Sequence, residues 1–233
     1  MKFLKQIFAD TFHLFFPHTC PGCGSDLLNK TNLLCIRCIT KLPHTHFAFF
    51  ENNPIEKIFS GRVPVRAAHS EFYFEKNELI QHLIHRVKYG NDIDTGVYLG
   101  EITGKALLKS GRFSTVDYII PLPLNKSKQK KRGYNQSEII CRGIHTAMNI
   151  PLMINNIIKV RKTESQTRKH RGERWNNVAG SFVVTNPNIL EGKHILLVDD
   201  VITTGATIEA CALAILQVRD CSLSIASLSH ASK

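Results

Sequence analysis

Four consecutive apolar residues, Ile195 to Val198, stand with no polar residue between them and end at Asp199 and Asp200. A strand of this kind is covered on both faces, as in a parallel sheet flanked by helices, because a half-exposed strand alternates. Thr203, Thr204, Gly205, Ala206 and Thr207 follow, and the apolar run from Ile208 to Val218 predicts a turn and then a helix over 206–218. Upstream, Leu79, Ile80, Leu83, Ile84 and Val87 recur at helical spacing, with Gly90 placed to end that helix. Further helices are expected over 96–108 and 136–148, and strands over 116–124, 181–184, 194–198 and 223–228. Alternating strand and helix predicts an α/β fold with a doubly wound parallel sheet. The chain shows no internal repeat and no low-complexity tract.

The first 50 residues read differently. Phe3, Leu4, Ile7, Phe8, Phe12, Phe15 and Phe16 form an amphipathic lead, which Asp10 and His13 interrupt and no small-x-small cleavage site follows. That pattern is expected to be a helix packed on the body rather than a secretory signal. Two knuckles come next, Cys20-Pro21-Gly22-Cys23 and Cys35-Ile36-Arg37-Cys38. Paired CxxC turns converge four thiolates, so Cys20, Cys23, Cys35 and Cys38 are candidate ligands of a structural Zn²⁺; an iron site and a dithiol redox pair are the alternatives. Cys141, Cys211 and Cys221 sit in apolar patterns and read as small buried hydrophobes. The expected division is a helix and zinc module over 1–50 and an α/β domain over 51–233, with Asn52, Asn53, Pro54, Gly61 and Pro64 marking a linker or irregular strand.

Composition narrows the class further. At 233 residues and 43% hydrophobic, the chain can bury a sizeable core, and no run approaches the length needed to span a bilayer. The net charge of +11 is concentrated. Lys126 to Arg132 holds five cations and no acid, and Lys159 to Arg174 holds seven cations against Glu164 and Glu173. A basic face focused in two segments points to a polyanionic ligand, either a pyrophosphate or a nucleic acid.

The acids and the turn after them suit a phosphosugar. Backbone N–H groups at a helix N-terminus bind phosphate, and Gly205 permits close approach. Asp199 and Asp200 would accept hydrogen bonds from vicinal ribose hydroxyls one sugar length away and are the candidate catalytic residues. A Walker B element also ends an apolar strand in acids, but the G-x-x-x-x-G-K-[ST] loop it requires is absent. After Pro121-Leu122-Pro123-Leu124, the cations Lys130, Lys131 and Arg132 read as a pyrophosphate-binding loop, since a departing pyrophosphate gains charge; an exposed lysine-rich loop is the alternative. The polar stretch with Arg161, Gln166, Arg171 and Arg174 is expected to be either a lid over the reaction centre or a nucleic-acid contact with Trp175 as a stacking surface.

The thirteen residues from Ile195 to Thr207 resemble the motif with which type I phosphoribosyltransferases bind 5-phosphoribosyl 1-pyrophosphate (PRPP). With the paired knuckles, Leu42-Pro43, Lys88-Tyr89-Gly90, Arg132-Gly133-Tyr134-Asn135-Gln136 and the Thr163, Gln166, Arg174, Asn177 pattern, nearly the whole chain is similar to the ComF family. The chain departs from it at Lys130, where an Arg is expected; the charge is kept and the bidentate fork lost. The resemblance implies a type I phosphoribosyltransferase-like sheet with a small N-terminal zinc finger, PRPP held with Mg²⁺ by Asp199, Asp200 and Thr203 to Thr207, and a cytoplasmic protein that handles incoming single-stranded DNA in competence or nutrient uptake, with competence-machinery proteins as further partners. Two rivals stand beside that expectation: a catalytically silent PRPP or nucleotide sensor that binds DNA, and a nucleotide-salvage transferase unrelated to DNA.

Overall fold

The computed structural model describes residues 18–26, 33–75, 78–160 and 181–231. Its strands are β1 (Ala68–Tyr73), β2 (Tyr118–Pro121), β3 (Ile157–Lys159), β4 (Phe182–Val184), β5 (His194–Ile202) and β6 (Ser222–His230). Four of them form one sheet in the order β1-β6-β5-β2, with every neighbouring pair parallel. β3 and β4 pair antiparallel as a separate ribbon, with Ile158 opposite Val183. The helices are α1 (Ile36–Ile39), α2 (Pro54–Phe59), α3 (Leu79–Tyr89), α4 (Ile93–Ser110), α5 (Lys126–Arg132), α6 (Gln136–Met148) and α7 (Ala206–Ile215).

Both faces of the sheet are covered. Leu196 and Val198 pack with Leu83, Leu99, Ile140 and Ile144 of α3, α4 and α6, whereas Ile195 and Leu197 pack with Phe59, Ile208 and Ile215 of α2 and α7. All four residues of this run are fully buried, as the unbroken apolar pattern requires. Each such side chain stabilises the fold by about 1.5–3 kcal/mol relative to exposure. α4 and α6 approach closely enough that a Cβ on Gly143 would overlap the Val97 carbonyl oxygen, so a glycine is needed there.

β1 and β3 fall where no strand was expected, and three further elements depart from the sequence expectations. The lysine-rich stretch 126–132 is the helix α5 and not a loop: Asn125 Oδ1 accepts from Ser127 N at 3.0 Å, Gly133 ends the helix at φ 83°, and the cations of the last turn favour its negative end. α2 stands where a linker or strand was expected, because Asn53 caps it at Ile55 N (3.0 Å) and Glu56 N (3.1 Å) and Pro54 occupies the first turn. β5 continues through both acids to Ile202, since Asp199 pairs with Ser227 and Val201 with Ser229.

The cysteine knuckles belong to the main core. Cys20, Leu34, Cys38 and Leu42 are buried in one cluster with Phe72, Ile80 and Leu83. His82 of α3 meets the carbonyl of Pro21 at 3.1 Å. No described helix is long and apolar enough to cross a membrane.

Candidate functional site

The acids of β5 open into a cavity of about 230 Å³ beyond the carboxyl ends of β2 and β5, where open α/β sheets bind ligands. Its polar lining converges from separate elements: Lys88 of α3, Lys128 and Arg132 of α5, Gln136 and Ser137 of α6, Lys159 of β3, Asp199 and Asp200 of β5, and Thr207 of α7. The turn 203–205 then delivers the chain into α7, whose first N–H groups have no intrahelical partner. Gly205 caps α7 at φ 73°. A Cβ there would stand 2.9 Å from Ile58 Cγ2 and 3.0 Å from Phe59 Cε1, so the turn is pressed against α2. Arg62 braces the same turn: Nη1 donates to Thr204 O at 3.3 Å and to Ile58 O at 3.0 Å, and Nη2 pairs with Glu209 of α7.

The two acids have unequal surroundings. Asp200, 7% exposed, is paired through Oδ2 with Lys88 Nζ at 3.0 Å. Asp199 accepts from Ser137 Oγ at 3.1 Å and from Asp200 N at 2.8 Å, and among the described residues it forms no ion pair. Burial, and then the charge of Asp200, push the Asp199 carboxyl up to about 7. Asp199 therefore titrates near neutrality beside an acid that carries the ion pair.

Local structure explains the run 132–137 residue by residue. Arg132 ends α5 beside Tyr89, and the Tyr134 hydroxyl donates to Val87 O. Asn135 Nδ2 donates to Leu122 O at 3.0 Å while its Oδ1 caps α6 at Ser137 N. Gln136 and Ser137 consequently face the cavity from the first turn of α6, and Ser137 holds Asp199. Lys159 reaches the cavity from the ribbon, its Nζ 5.1 Å from the centre of the Phe182 ring.

At the other end of α3, the Sγ atoms of Cys20, Cys23, Cys35 and Cys38 all lie within 4.8 Å of one another. Four thiolates at about 2.3 Å from Zn²⁺ would stand about 3.8 Å apart, so the donor set and its spread fit that ion. Cys35 N donates to Cys20 Sγ at 3.3 Å, tying the two knuckles together. The Ser25 hydroxyl, 3.0 Å away, leads the lowering of the Cys23 thiol to about 6, whereas burial raises Cys38 far above its usual value. A divalent cation would bring all four into the thiolate form.

The structure thus gathers Asp199, Asp200, Thr207 and Arg132 into one cavity and sets Thr203, Thr204, Gly205 and Ala206 at its helix terminus. Lys130 and Lys131 are exposed on α5, and Lys128 and Lys159 line the cavity with Arg132. Arg161, Gln166, Arg171 and Arg174 lie outside the described residues, as does the amphipathic lead; Val160 N donates to Ser181 O at 3.0 Å, joining the two ends of the segment 161–180. Sequence reasoning missed Lys88, Ser137, Lys159 and Arg62 as site residues. Lys88 carried a signal through the Lys88-Tyr89-Gly90 triplet and Lys159 through the basic window 159–174; Ser137 and Arg62 carried none.

Residues 135–231 match the phosphoribosyl transferase domain family. The chain is 26% identical over 205 residues to competence protein F of Haemophilus influenzae, covering 83% of this chain and 89% of that protein. It is 24% identical over 201 residues to the DNA utilization protein YhgH of Salmonella typhimurium, covering 85% of this chain and 78% of that one. Among solved structures, a glutamine PRPP amidotransferase from B. subtilis, complexed with ADP and GMP, aligns with a TM-score of 0.43 and 17% identity over 61% of this chain and 30% of its own.

Proposed function

We propose that this chain, a phosphoribosyl transferase-domain protein similar along most of its length to competence protein F, binds PRPP in the cavity at the end of β5 and handles single-stranded DNA on the basic face beside it. The observation that carries the reading is the convergence of Asp199, Asp200 and Thr207 with Lys88, Lys128, Arg132 and Lys159 in one cavity. The N–H groups of 203–207 hold the 5-phosphate, the acids accept from the ribose hydroxyls, and the cations meet the pyrophosphate. Asp199 and Asp200 would hold the Mg²⁺ that accompanies PRPP, which would supply charge neutralisation for the pyrophosphate. Arg132, Lys128 and Lys159 stand ready to stabilise charge as a pyrophosphate departs, which is the term a transferase needs most.

The DNA part of the reading is supported by the names of the relatives and by α5. Its exposed Lys128, Lys130 and Lys131 form no ion pair among the described residues, and the helix contains no acid. An unpaired cationic helix is the electrostatic footprint of a phosphate backbone. Calorimetric titration of PRPP with Mg²⁺, followed by a turnover assay against a panel of bases and oligonucleotides, tests the reading. Binding with release of pyrophosphate identifies a transferase, binding without release identifies a sensor, and no binding of PRPP overturns the proposal.

A further inference from the structure

We infer that the exposed ring of Tyr89 is a stacking platform for an unpaired base of a single strand lying across the mouth of the cavity. The inference rests on the nucleic-acid reading above and assigns it a site. Tyr89 is the last residue of α3 and is 61% exposed. A surface tyrosine ordinarily buries its ring and wets only its hydroxyl. Here the hydroxyl is occupied, accepting from Arg132 Nη2 at 3.3 Å, while the ring is largely in solvent.

The ring is also placed for a strand. Arg132 lies with its guanidinium carbon 5.0 Å from the ring centre and lines the cavity at the same time, so the platform begins where the cavity ends. His85, one turn earlier on α3, extends the aromatic surface with its ring centre 4.7 Å from that of Tyr89. On the neighbouring helix α5, Lys128, Lys130 and Lys131 offer their charges to solvent without an acid partner among the described residues. A backbone tracking along α5 would carry its bases toward Tyr89. Cations interleaved with exposed aromatic rings are how proteins hold single strands without reading sequence, since every base has a π-face. Lysines alone would accept a duplex equally well; the ring selects for unpaired bases.

Tyr89 has one competing role, orienting Arg132 for the cavity, and the two roles separate experimentally. A labelled thymidine oligonucleotide and an abasic oligonucleotide of the same length are titrated, by fluorescence anisotropy, into wild type, Tyr89→Phe and Tyr89→Leu. Wild type and Tyr89→Phe should bind the thymidine strand about tenfold more tightly than the abasic one. Tyr89→Leu should bind both at the abasic level with an unchanged salt slope, because stacking releases no counterions. If Tyr89→Leu keeps the full preference for bases, the platform does not exist. A preference kept while Mg²⁺–PRPP affinity falls would make Tyr89 a positioning residue for Arg132 and overturn the inference equally. Wild type binding neither strand would refute the nucleic-acid reading itself, whereas wild type binding both strands alike would refute only the platform.

Discussion

The Lys88 ammonium lies 3.0 Å from Asp200 Oδ2, so a cation carried by α3 is delivered to one of two adjacent acids on β5. Asp199, one residue earlier, receives the Ser137 hydroxyl instead. Burial, together with the like charge of its neighbour, leaves Asp199 with its carboxyl pushed up to about 7.

Asp199 should therefore make the protein less stable as pH rises. Its folded carboxyl is raised to about 7 from 3.8, so the proton it binds favours the fold fully below about pH 4, and that contribution is lost as pH climbs to about 7. Asp199→Asn keeps an oxygen to accept from Ser137 Oγ and Asp200 N but cannot ionise. At pH 8 the variant should be more stable than wild type by on the order of 2 kcal/mol. Urea unfolding at pH 5 and pH 8 measures it; equal pH dependence in both proteins would show that Asp199 is ionised throughout.

Ligand binding should respond in the opposite sense. Gly205→Val places a β-branched side chain at φ 73° and against Ile58 and Phe59, which should abolish PRPP binding. Asp199→Asn with Asp200→Asn should lower affinity for PRPP with Mg²⁺ by about two orders of magnitude or more, at roughly 1.5–3 kcal/mol for each charge-assisted bond, while sparing inorganic phosphate. Calorimetry reads both. Wild-type affinity in both variants would reduce the strand, turn and helix to scaffold.

Purified protein should contain one Zn²⁺ per chain, and Cys35→Ser should lose it. Because Cys20 and Cys38 are packed with Phe72, Ile80 and Leu83, removing the ion by chelation should lower the melting temperature of the whole chain in a single transition. Elemental analysis with a thermal melt decides. Four free thiols without metal, or an unchanged melt after chelation, would contradict a structural zinc.

Replacing Lys128, Lys130 and Lys131 together by Gln should flatten the plot of log affinity for single-stranded DNA against log salt by about two, at roughly 0.7 for each phosphate no longer neutralised. A binding series between low and physiological salt gives the slope. Were it unchanged, α5 would not touch the backbone.

Some of this architecture is written locally and some is not. Burial of Ile195–Val198 is legible because a strand covered on both faces needs no alternation, and α6 is legible over 136–148 because its apolar spacing is unbroken. The four cysteines are legible because their spacing is itself the geometry. β1 is not, since Ala-His-Ser-Glu-Phe-Tyr looks too polar to bury; Glu71 is satisfied by His69 at 2.8 Å and by His44 at 2.6 Å, partners that only the fold supplies. Ser137 is hidden for the same reason, ordinary at its helix end until tertiary packing points it at β5, and the Lys88-Tyr89-Gly90 triplet marks Lys88 without showing that it reaches Asp200.

The order of the sheet also sets an order of events during folding. β1 pairs with β6, the last described strand, and on its other side, among the described residues, meets only the backbone of 43–45, where Thr45 N donates to Glu71 O and Tyr73 N to Pro43 O. A chain made from its N-terminus must hold β1 unpaired until β6 exists. Non-local parallel pairing of this kind is slow and leaves apolar surface open meanwhile. Premature termination before residue 222 should therefore yield aggregation-prone chains, even when they contain every cysteine and both acids.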